Sequence, residues 1–307
     1  MTDVLRSSLT TRGDDKPHMH SSIWVTLGPI VIINSVLLVY LIIFALTRSR
    51  WPVPDEVKSR PNSRFLSGFL KEWWYWINTP IARLLIALRL SPNIITFVGF
   101  AISSVSAYFF ADGLFGYAGW IMIFGATFDM FDGKVARMTG QTSRSGAYYD
   151  SVMDRFGEGI VMLGLVYYFR FSWMLFIVIA GLIGSQLVSY TRARGEGVGV
   201  VCKKGAMQRP ERIVYLGVAS IFQPIADYLL RNTELAYTPL LVIGAIILIA
   251  VMTNITAIYR MIYIMNELDS HDRQGTEASI PQILMKLSTP EGRIEWLEKV
   301  RQRHHLK

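Results

Sequence analysis

Four aspartates stand close together between two apolar stretches of the chain. Residues 129–154 read DMFDGKVARMTGQTSRSGAYYDSVMD and contain Asp129, Asp132, Asp150 and Asp154. A charge at bilayer depth costs at least ~3 kcal/mol on insertion scales, so intramembrane carboxylates are rare unless they have a function. Because the two pairs have spacings of three and four residues, each pair shares one face of a helix. The turn around RMTGQTSRSG folds the second helix back on the first, so we expect the two acidic faces to meet.

Acidic faces that meet in a partly dry site repel each other unless cations neutralise them. The segment contains no histidine or cysteine, and oxygen-only ligands are typical of Mg²⁺ or Mn²⁺ sites. Two such ions would clamp a phosphate group during a displacement reaction. The sequence therefore predicts two ions of Mg²⁺ or Mn²⁺, held by Asp129, Asp132, Asp150 and Asp154. The alternative is a structural role in which the aspartates pair with Arg137, Arg144 and Arg155.

Small and basic residues accompany the aspartates in the same segment. Gly133 follows Asp132, and Gly146 lies one helical turn before Asp150. A glycine lets a ligand approach the backbone, although glycines also serve helix packing in membranes. Arg137 is a candidate for a contact with a phosphate group, since guanidinium groups bind phosphate through paired hydrogen bonds.

The composition of the chain predicts the kind of protein that positions these residues. Of 307 residues, 51% are hydrophobic and 18% are charged, against roughly 25% charged residues in soluble domains. This balance and the mean hydropathy of +0.33 are typical of a polytopic membrane protein. Basic cytoplasmic loops explain the net charge of +8, so no nucleic-acid partner is expected. The single cysteine, Cys202, excludes an internal disulfide.

The order of apolar and polar stretches predicts an all-α integral membrane protein. One extra N-terminal transmembrane helix is expected first, and an interfacial amphipathic helix rich in Trp, Lys and Arg is expected after it. A six-transmembrane-helix catalytic bundle then follows. The six spans are predicted near Ile94–Phe110, Phe115–Ala136, Ala147–Phe169, Trp173–Arg192, Ile213–Leu230 and Leu240–Ile264.

The same pattern divides the chain into six segments. They are a polar N-terminus (1–22), the extra transmembrane anchor (23–47), a proline-rich connector (48–62), the interfacial helix (63–90), the transmembrane domain (91–265) and a cytoplasmic tail (266–307). The tail is expected to contain a short helix that starts near Ser288 or Thr289.

Lysine and arginine counts predict the orientation of the chain in the membrane. The segment before the anchor carries three of these residues, and the segment after it, up to Lys71, carries six. Since the more basic side faces the cytoplasm, the N-terminus is predicted outside and the C-terminus inside. The acidic cluster then lies on the cytoplasmic side.

The acidic segment fits a longer pattern at every fixed position. That pattern, D-x2-D-G-x2-A-R-x8-G-x3-D-x3-D, resembles the signature of the CDP-alcohol phosphotransferases, integral membrane enzymes of phospholipid synthesis. The resemblance covers roughly Leu88 to Arg260 and leaves the anchor, the connector and the tail outside. It implies that the hydroxyl group of an acceptor alcohol attacks the β-phosphorus of a CDP-linked lipid and that CMP leaves.

The resemblance also implies roles for single residues. Asp129, Asp132 and Asp150 would hold the metal ions, while Asp154 would contact a metal and act as the general base for the acceptor hydroxyl. The CDP site would be lined by Asp132, Gly133, Arg137 and Gly146. The family commonly dimerises, so a homodimer surrounded by membrane lipid is expected.

A second set of residues, basic rather than acidic, concerns the acceptor. The stretches SYTRARGEG, QRPER and AIYRMI resemble the branch of the family that makes phosphatidylinositol phosphate from CDP-diacylglycerol and inositol phosphate. That resemblance implies a site for the acceptor phosphate made of Ser189, Arg192, Arg212 and Arg260, with Arg155 and Arg209 as additional candidates. Arg192 departs from the branch, which typically has lysine there, so glycerol 3-phosphate or another alcohol is an alternative acceptor.

Two functions of other classes compete with this interpretation. A divalent cation carrier would use carboxylates near the middle of its spans, but it needs no basic acceptor pocket. A noncatalytic scaffold would retain only a decayed motif, and all eight fixed positions are intact here. Both observations favour an enzyme.

Overall fold

The structure, a computed structural model, describes residues 23–47, 68–202, 205–236 and 238–288. Within these ranges the chain is helical and contains no strand, which confirms the predicted all-α class. The helices are α1 (Ile23–Thr47), α2 (Gly68–Ala87), α3 (Pro92–Ala111), α4 (Phe115–Met138), α5 (Arg144–Tyr168), α6 (Met174–Gly197), α7 (Arg209–Leu230) and α8 (Leu240–Ser288). The predicted polar N-terminus, the connector, residues 63–67 of the interfacial helix and the tail beyond residue 288 lie outside the described residues.

Five helices in the described ranges are long and apolar enough to cross a membrane. They are α1, α3, α6, α7 and the part of α8 from Leu240 to Ser270. The protein is therefore a multi-pass membrane protein, as predicted. α4 and α5 are not among the five, because each carries several charged residues of the acidic segment. A six-span bundle, which needs both of them, stays a prediction.

The helices that carry the motifs begin earlier or end later than predicted. α3 begins two residues early, because Ser91 caps it and Pro92 suits the first helical position. α5 begins three residues early, because Ser143 Oγ accepts a hydrogen bond from the N–H of Gly146 (3.0 Å). α6 continues five residues beyond Arg192, and α7 begins four residues before the predicted start. Arg194, Arg209 and Arg212 thus lie on helices rather than in the stretch between the fourth and fifth predicted spans.

The chain forms two compact units, which are described separately. The first comprises the described residues of Met1–Gln186 and Met207–Asn254, and the second those of Leu187–Ala206 and Ile255–Lys307. In the first unit α3 packs against α4 and α5, and α4 packs against α7. The apolar core of this unit includes Phe110, Met122, Leu165, Val178 and Ile246, all at most 4% exposed.

Glycines permit the close approach of α4 to α7. A Cβ added to Gly119 would lie 2.7 Å from the carbonyl oxygen of Gly217 and 2.9 Å from the backbone nitrogen of Ile221. Backbones that approach this closely at small residues gain packing contacts in a membrane, where the hydrophobic effect contributes little between helices. Gly119 is therefore a point at which the bundle tolerates no side chain.

We expect Gly119→Ala to lower the stability of the folded protein by about 1–3 kcal/mol, because the new methyl group pushes two backbones apart. Thermal unfolding in detergent measures this as a lower Tm. The matched control is Gly244→Ala on α8, where an added Cβ meets nothing within 4 Å. The control is expected to keep the wild-type Tm or raise it, and equal Tm values for Gly119→Ala and wild type would contradict the packing.

The extra helix α1 is attached to the bundle at both of its ends. At its start, Thr26 Oγ1 donates to the carbonyl oxygen of Ile221 on α7 (2.5 Å), and Trp120 Nε1 on α4 donates to the carbonyl oxygen of Val25 (3.0 Å). At its other end, the ring of Phe44 lies 5.5 Å from the ring of Trp76 on α2, measured between centroids. α1 is therefore part of the first unit rather than a separate tether.

The second unit consists of the last turns of α6, the segment that follows them and α8 from Ile255 onwards. Val200, Cys202 and Ile264 form its small apolar cluster. α8 runs without a break to Ser288, so the predicted boundary between transmembrane domain and tail at residue 265 falls inside a helix.

Candidate active site

The turn between α4 and α5 brings the predicted acidic faces together. Gly140 has a φ of +68° in this turn, a conformation that glycine adopts without steric cost. One carboxylate oxygen from each of Asp129, Asp132 and Asp150 lies within 4.8 Å of the other two. Three of the four predicted ligands therefore converge on one point, on the facing sides of two helices.

A hydroxyl group holds the most buried of these carboxylates. Asp132 is 6% exposed, and its Oδ2 accepts a hydrogen bond from Thr96 Oγ1 on α3 (2.6 Å). Its Oδ1 accepts the N–H of Gly133. These bonds fix the orientation of the side chain and satisfy part of its hydrogen-bonding capacity in a buried place. Sequence reasoning missed Thr96, which lies in the LSPNIIT stretch that precedes the acidic segment.

The fourth aspartate has a basic partner. Asp154 is not in the group of three, and its Oδ1 lies 2.7 Å from Nη1 of Arg209. The same nitrogen of Arg209 also pairs with Oδ2 of Asp129. Arg209 thus bridges a predicted metal ligand and the predicted base, and it neutralises part of their mutual repulsion. The sequence suggested Arg209 only as an additional ligand of the acceptor phosphate.

The donor set of the acidic group suits a hard divalent cation. All three groups are carboxylates, and they are close enough for one or two ions to be shared between them. Mg²⁺ prefers such oxygen ligands, and ions in two-metal sites lie about 3.5–4 Å apart. Asp129, Asp132 and Asp150 are therefore the residues that fit a Mg²⁺ or Mn²⁺ site.

A cavity opens beside this group, between α3, α4, α5 and α7. One part of its lining is charged and consists of Asp129, Asp154, Glu158, Arg209 and Arg212. The remainder is mostly apolar and includes Met122, Val161, Met162, Ile213 and Leu216. The cavity therefore offers charged groups for a small polar molecule next to the carboxylates.

The predicted CDP residues lie around the same turn. A Cβ added to Gly133 would meet only Nη1 of Arg137, at 3.3 Å, so the guanidinium group lies directly over this glycine. A Cβ added to Gly146 would lie 3.0 Å from Ser143 Oγ and 3.6 Å from Oδ1 of Asn93. Both glycines keep the backbone accessible close to a basic or polar side chain.

The predicted acceptor residues are distributed over both units. In the first unit Arg212 is buried and forms a two-pronged ion pair with Glu158, which sequence reasoning missed. Arg155 donates to the carbonyl oxygen of Ser151 in its own helix. The spacing of Glu158, four residues after Asp154, was the available signal, because it continues the acidic face of α5.

In the second unit, Arg260 is 2% exposed and its Nη1 donates to the carbonyl oxygen of Val188 (2.7 Å). Gly205 has a φ of +133°, and a Cβ there would lie 3.4 Å from Nε of Arg260. The backbone at Gly205 therefore packs against this guanidinium group. Arg192 pairs with Glu196 on the surface of its helix (3.0 Å), and Ser189 is half-buried.

Comparison with known proteins agrees with this site. The family model for CDP-alcohol phosphatidyltransferases matches residues 89–265. A phosphatidylinositol phosphate synthase from Mycobacteroides abscessus is 34% identical over 163 residues, which cover 51% of this chain and 74% of that protein.

Solved structures of a related enzyme have the same fold. Phosphatidylinositol phosphate synthase from Mycobacterium tuberculosis with CDP-DAG bound matches with a TM-score of 0.54 and 29% identity, over 62% of this chain and 94% of that one. The same enzyme in complex with manganese and citrate matches with a TM-score of 0.54 and 28% identity, over 61% of this chain and 88% of that one. Because the family model spans more than half of the chain and includes all four aspartates, the protein belongs to the CDP-alcohol phosphatidyltransferase family.

Proposed function

We propose that the protein transfers a phosphatidyl group from CDP-diacylglycerol to a hydroxyl group of inositol phosphate and releases CMP. The observation that carries this proposal is the group of three carboxylates beside a cavity that Arg209 and Arg212 line. The relatives support the substrates, since the Mycobacterium tuberculosis enzyme has been solved with CDP-DAG bound and both relatives are phosphatidylinositol phosphate synthases.

The reaction needs one bond to form and one to break at the β-phosphorus. The acceptor oxygen forms a P–O bond, the P–O bond to CMP breaks, and the hydroxyl proton passes to Asp154. Asp154 suits this role because it lines the cavity, next to Asp129. Proton removal as the new bond forms is the usual task of such a base.

Asp129, Asp132 and Asp150, together with Asp154, are the residues proposed to hold two ions of Mg²⁺ or Mn²⁺. When bound, these ions neutralise the charge of the diphosphate and of the CMP that leaves. Thr96 keeps the carboxylate of Asp132 in place. The manganese complex of the Mycobacterium tuberculosis enzyme supports this assignment.

The CDP portion is proposed to lie along the turn between α4 and α5. Gly133 and Gly146 keep the backbone open there, and the guanidinium group of Arg137 lies over Gly133. A guanidinium group at this place suits a phosphate oxygen, because the paired N–H groups of arginine match its geometry. Asp132 borders the same region.

Ser189, Arg192, Arg212 and Arg260 are proposed to bind the phosphate of the acceptor, with Arg155 and Arg209 as additional candidates. Several guanidinium groups suit a phosphorylated acceptor better than an uncharged one such as serine. Glycerol 3-phosphate carries the same charged group and is the second candidate acceptor. Arg192 stands where the related branch typically has lysine, and this difference is the reason why glycerol 3-phosphate remains a candidate.

The site is proposed to face the cytoplasm, with the N-terminus outside and the C-terminus inside. The contacts of α1 support this arrangement. Its first turn contacts Trp120, which lies near the start of α4, whereas Asp129 and Asp132 lie near the end of α4. The start of α1 is therefore at the end of the bundle away from the aspartates. We further propose that the protein forms a homodimer in membrane lipid. We also propose that the chain is divided into the six segments predicted from its sequence.

The test of this function is an acceptor comparison. Purified protein with CDP-diacylglycerol and Mg²⁺ or Mn²⁺ is expected to release CMP with inositol 1-phosphate, and not with free inositol or serine. EDTA is expected to abolish release. Release with glycerol 3-phosphate instead would retain the reaction and replace the acceptor, whereas no release with any acceptor would contradict the proposal and favour a test of cation transport.

A further inference from the structure

Arg212 and Glu158 form an ion pair inside the first unit. Nε of Arg212 donates to Oε1 of Glu158 (2.5 Å), and Nη2 donates to Oε2 (2.8 Å). The side chain of Arg212 is 3% exposed and that of Glu158 is 12% exposed. This parallel arrangement of two hydrogen bonds is the strong and directional form of the arginine–carboxylate pair. Glu158 therefore fixes the plane of the guanidinium group as well as its position.

The pair leaves part of the guanidinium group available. Arginine has five N–H groups, of which two bind Glu158 and a third, on Nη1, donates to the carbonyl oxygen of Met207 (3.2 Å). The other two, one on Nη1 and one on Nη2, have no partner among the residues that the structure describes. Arg212 lines the cavity beside Asp154, and these two N–H groups are the ones that remain for a bound anion.

The position of Glu158 in the sequence places the ion pair on α5, the helix that carries Asp150 and Asp154. Glu158 follows Asp154 by four residues, and Asp154 follows Asp150 by four, so all three carboxylates lie on one face of α5. Glu158 is thus held by the same helix that presents the proposed base. The ion pair therefore connects the guanidinium group of Arg212 to the helix that carries Asp154.

We propose that Glu158 is a positioning residue that aims Arg212 at the phosphate of the acceptor alcohol. Glu158 itself touches neither substrate: it holds one edge of the guanidinium group, so that the remaining N–H groups meet the phosphate while the hydroxyl group lies at Asp154. It thereby contributes to the preference for a phosphorylated acceptor. This inference rests on the proposed function, because it needs an anionic acceptor in the cavity.

The test compares KM values for the two substrates in the CMP-release assay. Glu158→Gln keeps the size of the side chain but removes the second acceptor oxygen and the charge. We expect it to raise the KM for inositol 1-phosphate about tenfold or more, because this is the effect of losing one charge-assisted hydrogen bond. The KM for CDP-diacylglycerol is expected to stay within about twofold of wild type. Glu158→Asp keeps the carboxylate on a shorter stem and is expected to raise the acceptor KM only about threefold.

Dependence on Arg212 is tested in the Arg212→Gln background. There Glu158→Gln is expected to add less than about a twofold change in acceptor KM, since a residue that acts through another has no effect without it. The matched control is Glu234→Gln at an exposed position between α7 and α8, which should match wild type. If Glu158→Gln does not fold, Glu158→Asp is used in its place. This variant is then expected to raise the KM for inositol 1-phosphate and to leave the KM for CDP-diacylglycerol unchanged.

Several outcomes would overturn the proposal. Equal shifts in both KM values would show a general structural role, an unchanged acceptor KM would show no role, and a lower acceptor KM would show that Glu158 competes with the acceptor for Arg212. A wild-type enzyme that does not use inositol phosphate would instead refute the proposed function, so the two failures are distinguishable.

Discussion

Asp154→Asn is expected to abolish turnover while it leaves binding of CDP-diacylglycerol largely intact. Asparagine has the shape of aspartate but does not accept the hydroxyl proton, and general-base catalysis is worth about 10²–10⁴ in rate. The group formed by Asp129, Asp132 and Asp150 does not include Asp154, so the three carboxylates remain in the variant. The measurements are kcat for CMP release and the affinity for CDP-diacylglycerol in the presence of Mn²⁺.

The control for this experiment is Asp112→Asn. Asp112 lies in the turn before α4, at the opposite end of that helix from the aspartate group, and its variant should turn over like wild type. Turnover near the wild-type rate in Asp154→Asn would remove Asp154 from the role of base. Loss of lipid binding together with turnover would show that the metal contact proposed for Asp154 is itself needed to bind the nucleotide.

The local part of the site could be predicted from sequence. Spacings of three and four residues determine which side chains share a helix face, and a short glycine-containing turn determines that two such faces meet. Asp129, Asp132 and Asp150 converge for these two reasons. The all-α class followed in the same way from long apolar stretches.

The partners of these residues could not be predicted from the same rules. Arg209 pairs with residues 80 and 55 positions away, and Arg212 pairs with Glu158 at a separation of 54. Such contacts depend on where α7 lies relative to α4 and α5, and the lack of a side chain at Gly119 permits its close approach to α4. No periodicity in the sequence encodes that packing.

Helix ends were predicted less accurately than helix positions, for a related reason. Hydropathy locates the apolar middle of a helix, whereas capping side chains such as Ser143 determine its first residue. The predicted spans therefore omitted polar first and last turns. Arg209, Arg212 and Arg192, which are proposed to bind the acceptor phosphate, lie in these turns or next to them.

The second large effect is expected from Asp132→Asn, which should weaken the binding of Mn²⁺ at least about tenfold. Changes to residues that only contact a metal ligand already cost about 10–100-fold in affinity, so the loss of a ligand should cost at least as much. Asparagine loses the negative charge, and one of its two terminal atoms becomes a donor. Because Thr96 Oγ1 donates to Asp132 Oδ2, the variant side chain is also held differently. Free Mn²⁺, measured by electron paramagnetic resonance during titration of the purified protein, gives the affinity.

The readout that separates a ligand from a structural residue is lipid binding with and without the metal. For a ligand, the affinity for CDP-diacylglycerol falls in Mn²⁺ and is equal to that of wild type in EDTA, because no ion contributes there. A fall of equal size in EDTA would show that Asp132 acts without the metal, either by contacting the CDP portion directly or by holding α3 against α4 through Thr96. Unchanged Mn²⁺ affinity would exclude Asp132 as a ligand. The control Asp112→Asn, which alters a carboxylate in the turn before α4, should change neither the Mn²⁺ affinity nor the lipid affinity.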